Sequence, residues 1–394
     1  MRVAINGAGI AGATLAWWLR RFGHEVLIVE KAHGFRTGGY LLDLWGIGYD
    51  VAEKMGVLPR LQAVQYHVEE LRILDRQGRV CGGYPTKVLS RLARNRLLAL
   101  ARSDIAATIH GTLDSAVETI FGDSICAIRD DGNRLGIGFD HAPTREVDLV
   151  VGADGLRSRI RSLAFGSGSM FEHALGCHVA AFELSGYRPR QEGIAAIHGA
   201  PGRYVSRISL RDDKTLVFMV FRDEYLAGDI PANESQRKSA LYGVFGDMAW
   251  ECPQILGAMA DASDIYFDSV SQIRMERWTT GRVALVGDAA ACPSLIAGEG
   301  AGLAMAEAYV LAGEIHASRG DLVAAFARYE ERMKPFLLHK QKAAQKLVGA
   351  FVPKNALAVA ARNFATRLMR LPVFPELMMG RYLSDAIELP EYKT

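Results

Sequence analysis

Cysteine is scarce and scattered in this 394-residue chain. Cys81, Cys126, Cys177, Cys252 and Cys292 make an odd number with no C-x-x-C pair. That excludes a disulfide framework or a zinc site and points to a reducing compartment. Charge of one sign is missing too: 46 Lys and Arg against 44 Asp and Glu leave a net +2. With no basic stripe interleaved with aromatics, nucleic acid is not an expected partner. No apolar run reaches the roughly 18 residues of a spanning helix, so no stable membrane insertion is expected. With a strand expected from residue 2, no signal peptide is expected. Repeats and low-complexity linkers are missing, the ten histidines are dispersed, and no Ser/His/Asp order or metal-ligand spacing stands out. What remains is an ordinary cytoplasmic globular composition, 49% hydrophobic and 23% charged, in a chain long enough for two domains or one elaborated domain.

The chain opens on MRVAINGAGIAGATLAWWLRRFGHEVLIVEK. Arg2 to Asn6 reads as a buried strand, a helix follows the glycines, and a second strand ends on Glu30. A glycine-marked loop and a helix near Gly48 to Met55 come next. KVLSRLARNRLLALARS, Lys87 to Ser103, carries leucines at helical spacing and reads as a helix. From about 175 to 270 the texture changes to antiparallel strands such as RYVSRISLR and KTLVFMVFR, with turns at Pro201-Gly202 and Asp212-Asp213. A buried strand returns at RVALVGDAA, and everything after about 321 reads helical. The fold class is α/β: a Rossmann-like domain with a parallel sheet (1–174 and 271–320), an inserted antiparallel sheet (175–270, with part of 60–90), and a C-terminal helical segment (321–394).

Three stretches carry chemistry. Gly7, Gly9 and Gly12, with Ile10 and Ala11 between them, form G-x-G-x-x-G between a strand and a helix. The first glycine turns the chain, the second admits a pyrophosphate, and the third lets helix pack on strand. Glu30 lies at the distance where a carboxylate meets ribose hydroxyls, and disfavours a 2′-phosphorylated nucleotide in this turn. GADGLRSRIR ends an apolar strand at Asp154-Gly155; in isolation it is also compatible with a plain capped helix start. In GRVALVGDAAACPSLIAGEGAGLAMAEAYVLAGE, Gly287-Asp288 ends a strand, Pro293 stiffens a loop, and Gly298, Gly300, Ala301 and Gly302 lead into a helix whose N-terminus favours negative charge.

Three nucleotide-edge motifs in one chain exceed what a nicotinamide dehydrogenase needs. Through GxGxxG with Glu30, through Asp154-Gly155-x-x-Ser158-x-x-Arg161 and through Gly287-Asp288, residues 1 to about 320 resemble the group A flavin-dependent aromatic monooxygenases. RTGGYLLDL and the Gly287 segment look most like the branch with the tetracycline-inactivating enzymes. The resemblance implies FAD, NADPH or NADH, dioxygen and a small aromatic substrate, in a monomer or weak dimer. It implies hydroxylation through a C4a-hydroperoxyflavin; the apolar, aromatic strands of the insert, Arg203 and Arg207 excepted, make a bulky phenol or enol the expected substrate. It also implies that Gly7, Gly9 and Gly12 hold the pyrophosphate, Glu30 and Lys31 the adenosine ribose, and Asp288 the ribityl chain. Arg36 would meet the nicotinamide cofactor, Asp43 would lie beside the isoalloxazine, and Arg91 would contact FAD. Asp154 would bridge NAD(P)H and FAD, and Pro293 with Gly298 to Gly302 would line the ring. Ala291 stands where many members have His.

Two other classes remain in view: a halogenase of similar fold, whose G-W-x-W-x-I-P segment is missing here, and a non-redox FAD-holding scaffold or pericyclase. In the insert, His178, His198, Tyr204, Arg207 and Phe218 are the substrate-facing candidates. Tyr204, Ser206, Ile208 and Leu210 share one strand face, Arg203 and Arg207 the other, and one of the two walls the substrate cavity. The tail FVPKNALAVAARNFATRLMRLPVF suits a membrane-surface helix or a helix bridging the domains; the bridge is the expectation.

Overall fold

Val3 to Asn6 have no polar alternation, so the strand Arg2–Asn6 is buried on both faces, as a central parallel strand must be. It lies between Glu25–Glu30 and Leu149–Gly152, each paired in parallel. Glu118–Phe121, Val283–Leu285 and the antiparallel edge Thr279–Thr280 complete six strands. The helices Ile10–Arg21 and Gly300–Ala317 pack together, with Trp18 edge-on to Tyr309 at 4.6 Å. The structure, a computed structural model, describes residues 1–35, 40–262, 264–380, 385 and 387–393.

A second, seven-stranded sheet runs in the order Tyr266–Ile273, Glu172–Ser185, Lys214–Arg222, Arg203–Ser209, Ile194–Ala200, Glu70–Leu74, Val80–Pro85. Its pairings are antiparallel except that between Ile194–Ala200 and Glu70–Leu74. Side chains alternate across it. Ala180, Phe182, Val205, Val217 and Met219 pack under the helices Glu234–Phe245 and Cys252–Met259. Val179, Ile197, Tyr204 and Val220 gather on the opposite face with Ile296, Val348 and Val352. The architecture is thus a Rossmann-like parallel sheet, a separate antiparallel sheet and C-terminal helices.

One element differs from its sequence pattern. Lys87 to Ser103 is not a single helix but a short helix Lys87–Leu92, a strand Leu97–Ala101 and the start of the helix Arg102–His110. Arg94 and Asn95 take φ of 53° and 60°, a left-handed turn that ends the first helix. Leu97–Ala101 then gains a partner in Leu41–Trp45. Tertiary pairing overrides the leucine spacing.

The helix Leu322–Phe351 packs along Gly300–Ala317, and Ala356–Leu368 lies on the strand Val80–Pro85. Among the described residues no helix is long and apolar enough to cross a membrane.

Candidate functional site

The first turn is shaped by what its glycines exclude. Gly7 has φ 112°, and a Cβ there would lie 2.5 Å from the Ala153 carbonyl oxygen. A Cβ on Gly12 would lie 1.9 Å from the Gly7 oxygen. Gly9 is the opposite case: a Cβ would meet nothing within 4 Å. It faces a cleft, which Ile10 and Ala11 also line at the positive end of their helix. Glu30 accepts from the backbone N–H groups of Ala8 at 2.8 Å and Ala32 at 2.9 Å, which fixes its carboxylate beside the turn. Lys31 next to it is exposed.

Asp154 is spent on the protein itself. Its carboxylate accepts from Asn6 Nδ2 (2.9 Å), Ser158 Oγ (2.5 Å) and the N–H groups of Arg159 (2.7 Å) and Ile160 (3.2 Å). Ala153, Gly155 and Leu156 line the cleft beside it. Arg161, buried, donates to Leu156 O and Ala289 O, so this turn is tied to the next motif.

Gly287 (φ 63°) makes that turn, and Asp288 opens a one-turn helix with its side chain on the cleft. Behind it the Gly287 N–H donates to Glu307 Oε2 at 3.0 Å, and Tyr329 Oη donates to the same oxygen at 3.2 Å. Burial pushes the Glu307 carboxyl well above the usual range. The following loop is clamped by two buried glutamines. Gln272 Nε2 donates to Pro293 O at 2.8 Å, and Gln341 Nε2 donates to Ile273 O (2.6 Å) and Cys292 O (3.1 Å). Between them Ser294 is held at φ 126°, a strained position for a residue with a side chain. Cys292, Ser294, Gly298, Gly300 and Ala301 line the cleft. Gly302 instead meets Gly48, whose Cβ would come 2.2 Å from the Gly302 Cα. Two helices touch backbone to backbone there.

The cleft bordered by Gly9 to Ala11, Gly155, Asp288, Ser294 and Gly300 holds about 150 Å³. Arg102 reaches into it from the junction of Leu97–Ala101 with the next helix, whereas Arg91, on the short helix Lys87–Leu92, is exposed and outside it. This is a correction: reading Lys87 to Ser103 as one helix hid the strand–helix junction that places Arg102. Tyr40 and Tyr266 face each other across the cleft at 6.0 Å, with Phe218 6.3 Å from Tyr40. Burial pushes the Tyr40 hydroxyl up to about 12. Tyr40 first, then Asp288, hold Arg102 further toward its charged form. Asp43 borders a small crevice with Glu299, Gly302, Leu303 and Asp385. Desolvation there pushes its carboxyl up to about 6. Lys340 bridges Glu299 and Asp385, each at 2.9 Å. Arg36 lies outside the described residues.

The insert candidates separate by strand parity. Tyr204 and Phe218 turn toward the parallel-sheet domain. His178, His198 and Arg207 do not, which corrects the expectation that they face a substrate. His178 stacks on Phe221 at 5.5 Å, and His198 Nδ1 lies 2.9 Å from Leu74 O beside Trp250. Arg207 makes a bidentate pair with Glu251 at 2.5 and 2.8 Å under the helical layer. A polar residue on a strand buried on both faces gives no sequence sign of its direction.

Residues 5–43 match an NAD(P)-binding Rossmann-like domain, and residues 140–321 match an FAD binding domain. Over 399 residues the chain is 31% identical to a flavin-dependent monooxygenase of an unknown prokaryotic organism, with 99% of each covered. The chain belongs to the flavin-dependent monooxygenases. This monooxygenase is also 36% identical over 351 residues to an uncharacterized protein of Mycobacterium tuberculosis, covering 86% of the chain and 91% of that protein. Its structure superimposes on the crystal structure of tetracycline destructase Tet(55) with a TM-score of 0.85 and 31% identity, over 99% and 98% of the two chains. FAD fits what the monooxygenase presents: open space over Gly9 for a pyrophosphate, and Asp288 with the Gly298–Ala301 helix start along the same cleft.

Proposed function

We propose that the monooxygenase inserts one oxygen atom of O2 into a bulky, polycyclic phenol or enol, ortho or para to its oxygen. The second oxygen atom leaves as water, and NADPH or NADH supplies the two electrons. Bound FAD supplies the redox chemistry, taking a hydride and activating dioxygen. The chain's own work is to hold and to shield. Gly9 to Ala11 and Asp288 would fix the cofactor, and the positive end of the Gly300–Ala317 helix would favour negative charge beside it. The substrate must be brought to near-attack distance, about 3–3.5 Å, and water excluded.

The observation that carries the substrate class is the disposition of Arg203 and Arg207. Both are engaged on the far side of the sheet, by Asp247 and Glu251. The face toward the cofactor domain presents Tyr204, Ile208, Leu216 and Phe218, a wall suited to fused rings rather than to a small carboxylate. Similarity to tetracycline destructases makes tetracycline-like rings the first compounds to try. The test is a ligand panel following NADPH and NADH oxidation, hydrogen peroxide yield and product mass together. A polycyclic phenol or enol should stimulate oxidation and gain one oxygen with little peroxide. Coupled hydroxylation of small hydroxybenzoates, with only peroxide from polycyclic compounds, would overturn the reading.

A further inference from the structure

The helix Ala356–Leu368 is inside out. Leu357, Ala360, Ala361 and Phe364 recur at helical spacing on one face, and all four are exposed, Leu357 by 81%. The polar side packs inward: Thr366 Oγ1 accepts from the Gly83 N–H at 3.0 Å, Asn363 donates to Cys81 Sγ, and Arg362 donates to Phe351 O at 3.1 Å. Further exposed apolar side chains follow along the chain at Leu371 and Val373 and on the helix Phe374–Met379, where Leu377 is 79% exposed. Among the described residues nothing covers them. Isolated exposed apolar side chains need no explanation, but this many within one short C-terminal stretch mark an interaction site.

Charge tells what kind. Residues 342–378 hold six cations and one acid, Glu376, so the rest of this +2 chain is net negative. Lys354 and Arg367 are exposed, and neither forms an ion pair among the described residues. Arg367 flanks the apolar stripe, three residues from Phe364. The helix Phe374–Met379 packs on Lys87–Leu92, whose exposed Lys87 and Arg91 add charge of the same sign. An apolar plateau with a cationic rim complements an anionic bilayer surface, where acyl chains take the apolar side chains and headgroups take the rim. A second copy of the chain fits worse, because a two-fold contact would set each cationic rim against its like.

We propose that Leu357, Phe364, Val373 and Leu377, with Lys354 and Arg367, form a reversible docking site for an anionic lipid surface. The protein adsorbs there without spanning. Co-sedimentation of the FAD-loaded full chain with phosphatidylcholine vesicles, with and without phosphatidylglycerol, tests it at low and high salt. Pelleting should require phosphatidylglycerol and fall away at high salt. The pairs Leu357→Gln/Phe364→Gln and Lys354→Glu/Arg367→Glu should each weaken binding about tenfold or more while FAD content and melting temperature stay unchanged. If the apolar pair perturbs folding, the exposed charge-reversal pair alone decides. Retention in the supernatant with both vesicle types overturns the proposal. So does a dimer, seen by sedimentation velocity, that the apolar pair dissolves while vesicle binding is nil.

Discussion

The guanidinium of Arg161 donates to the carbonyl oxygen of Ala289 over 3.0 Å, and to that of Leu156 over 2.5 Å. One fully enclosed side chain thereby joins the turn after Asp154 to the turn that carries Asp288. Removing it leaves the buried Ala289 acceptor without its donor, at about 1–3 kcal/mol, and the part-buried Leu156 acceptor without its own at a smaller cost. Arg161→Met should lower the melting temperature by several degrees and weaken FAD binding, both read by thermal unfolding with and without added FAD. A variant that melts like the parent would show that the two turns hold without the bridge.

Asp154 and Asp288 should separate by what they lose. Asp154 accepts four hydrogen bonds from its own chain, so Asp154→Ala should fall first on stability, by about 2–4 kcal/mol of unfolding free energy. Asp288 faces the cleft, so Asp288→Ala should weaken FAD by about tenfold to a hundredfold, or ~1–3 kcal/mol, and leave the FAD-free protein near its parental stability. Flavin fluorescence titration and denaturant unfolding measure the two quantities independently. The reverse pattern would exchange the roles.

The Asp43 carboxyl, raised to about 6 in the folded protein, binds its proton more tightly there than in the unfolded chain. Its contribution to stability is therefore complete below about pH 4, the ordinary carboxylate range, and is lost as pH rises through 6. Asp43→Asn should flatten that part of the profile of melting temperature against pH. Parallel profiles for parent and variant between pH 4 and 7 would place the titration elsewhere.

Gln272 donates to Pro293 O and to Gln341 O from a side chain with no exposed surface. Gln272→Met should cost about 1–3 kcal/mol, chiefly for the Pro293 carbonyl left without its donor, and loosen FAD. Urea unfolding and FAD titration of the variant check both effects. Parental stability and parental FAD affinity would show that the loop holds without the donated hydrogen bonds.

The strand-turn-helix around Gly7, Gly9 and Gly12 was legible because each glycine answers a local steric demand, and Asp288 because an acid ends a run of buried strand. Arg102 was not, because the left-handed turn at Arg94 and Asn95 has no marker inside a leucine-rich run. The direction of Arg207 was not either: strand alternation sorts residues into two sets without saying which set meets the helices. Glu251, some forty residues away, settles it. Gln272 and Gln341 act on backbone carbonyls, and a carbonyl is the same at every residue, so no sequence pattern advertises them.

The two glutamines also determine where this protein can be cut and rejoined. Gln272 lies on the strand Tyr266–Ile273, and Gln341 on the helix Leu322–Phe351. A graft that imports a relative's antiparallel sheet with its last junction at about residue 265 leaves both glutamines, and the loop they grip, with the recipient. Moving that junction eight or nine residues downstream separates the native pair, and the imported strand must then bring a donor for Pro293 of its own. Recombination between relatives should accordingly yield yellow, FAD-retaining chimeras from the first junction, and from the second only where the incoming strand carries an amide at the same place.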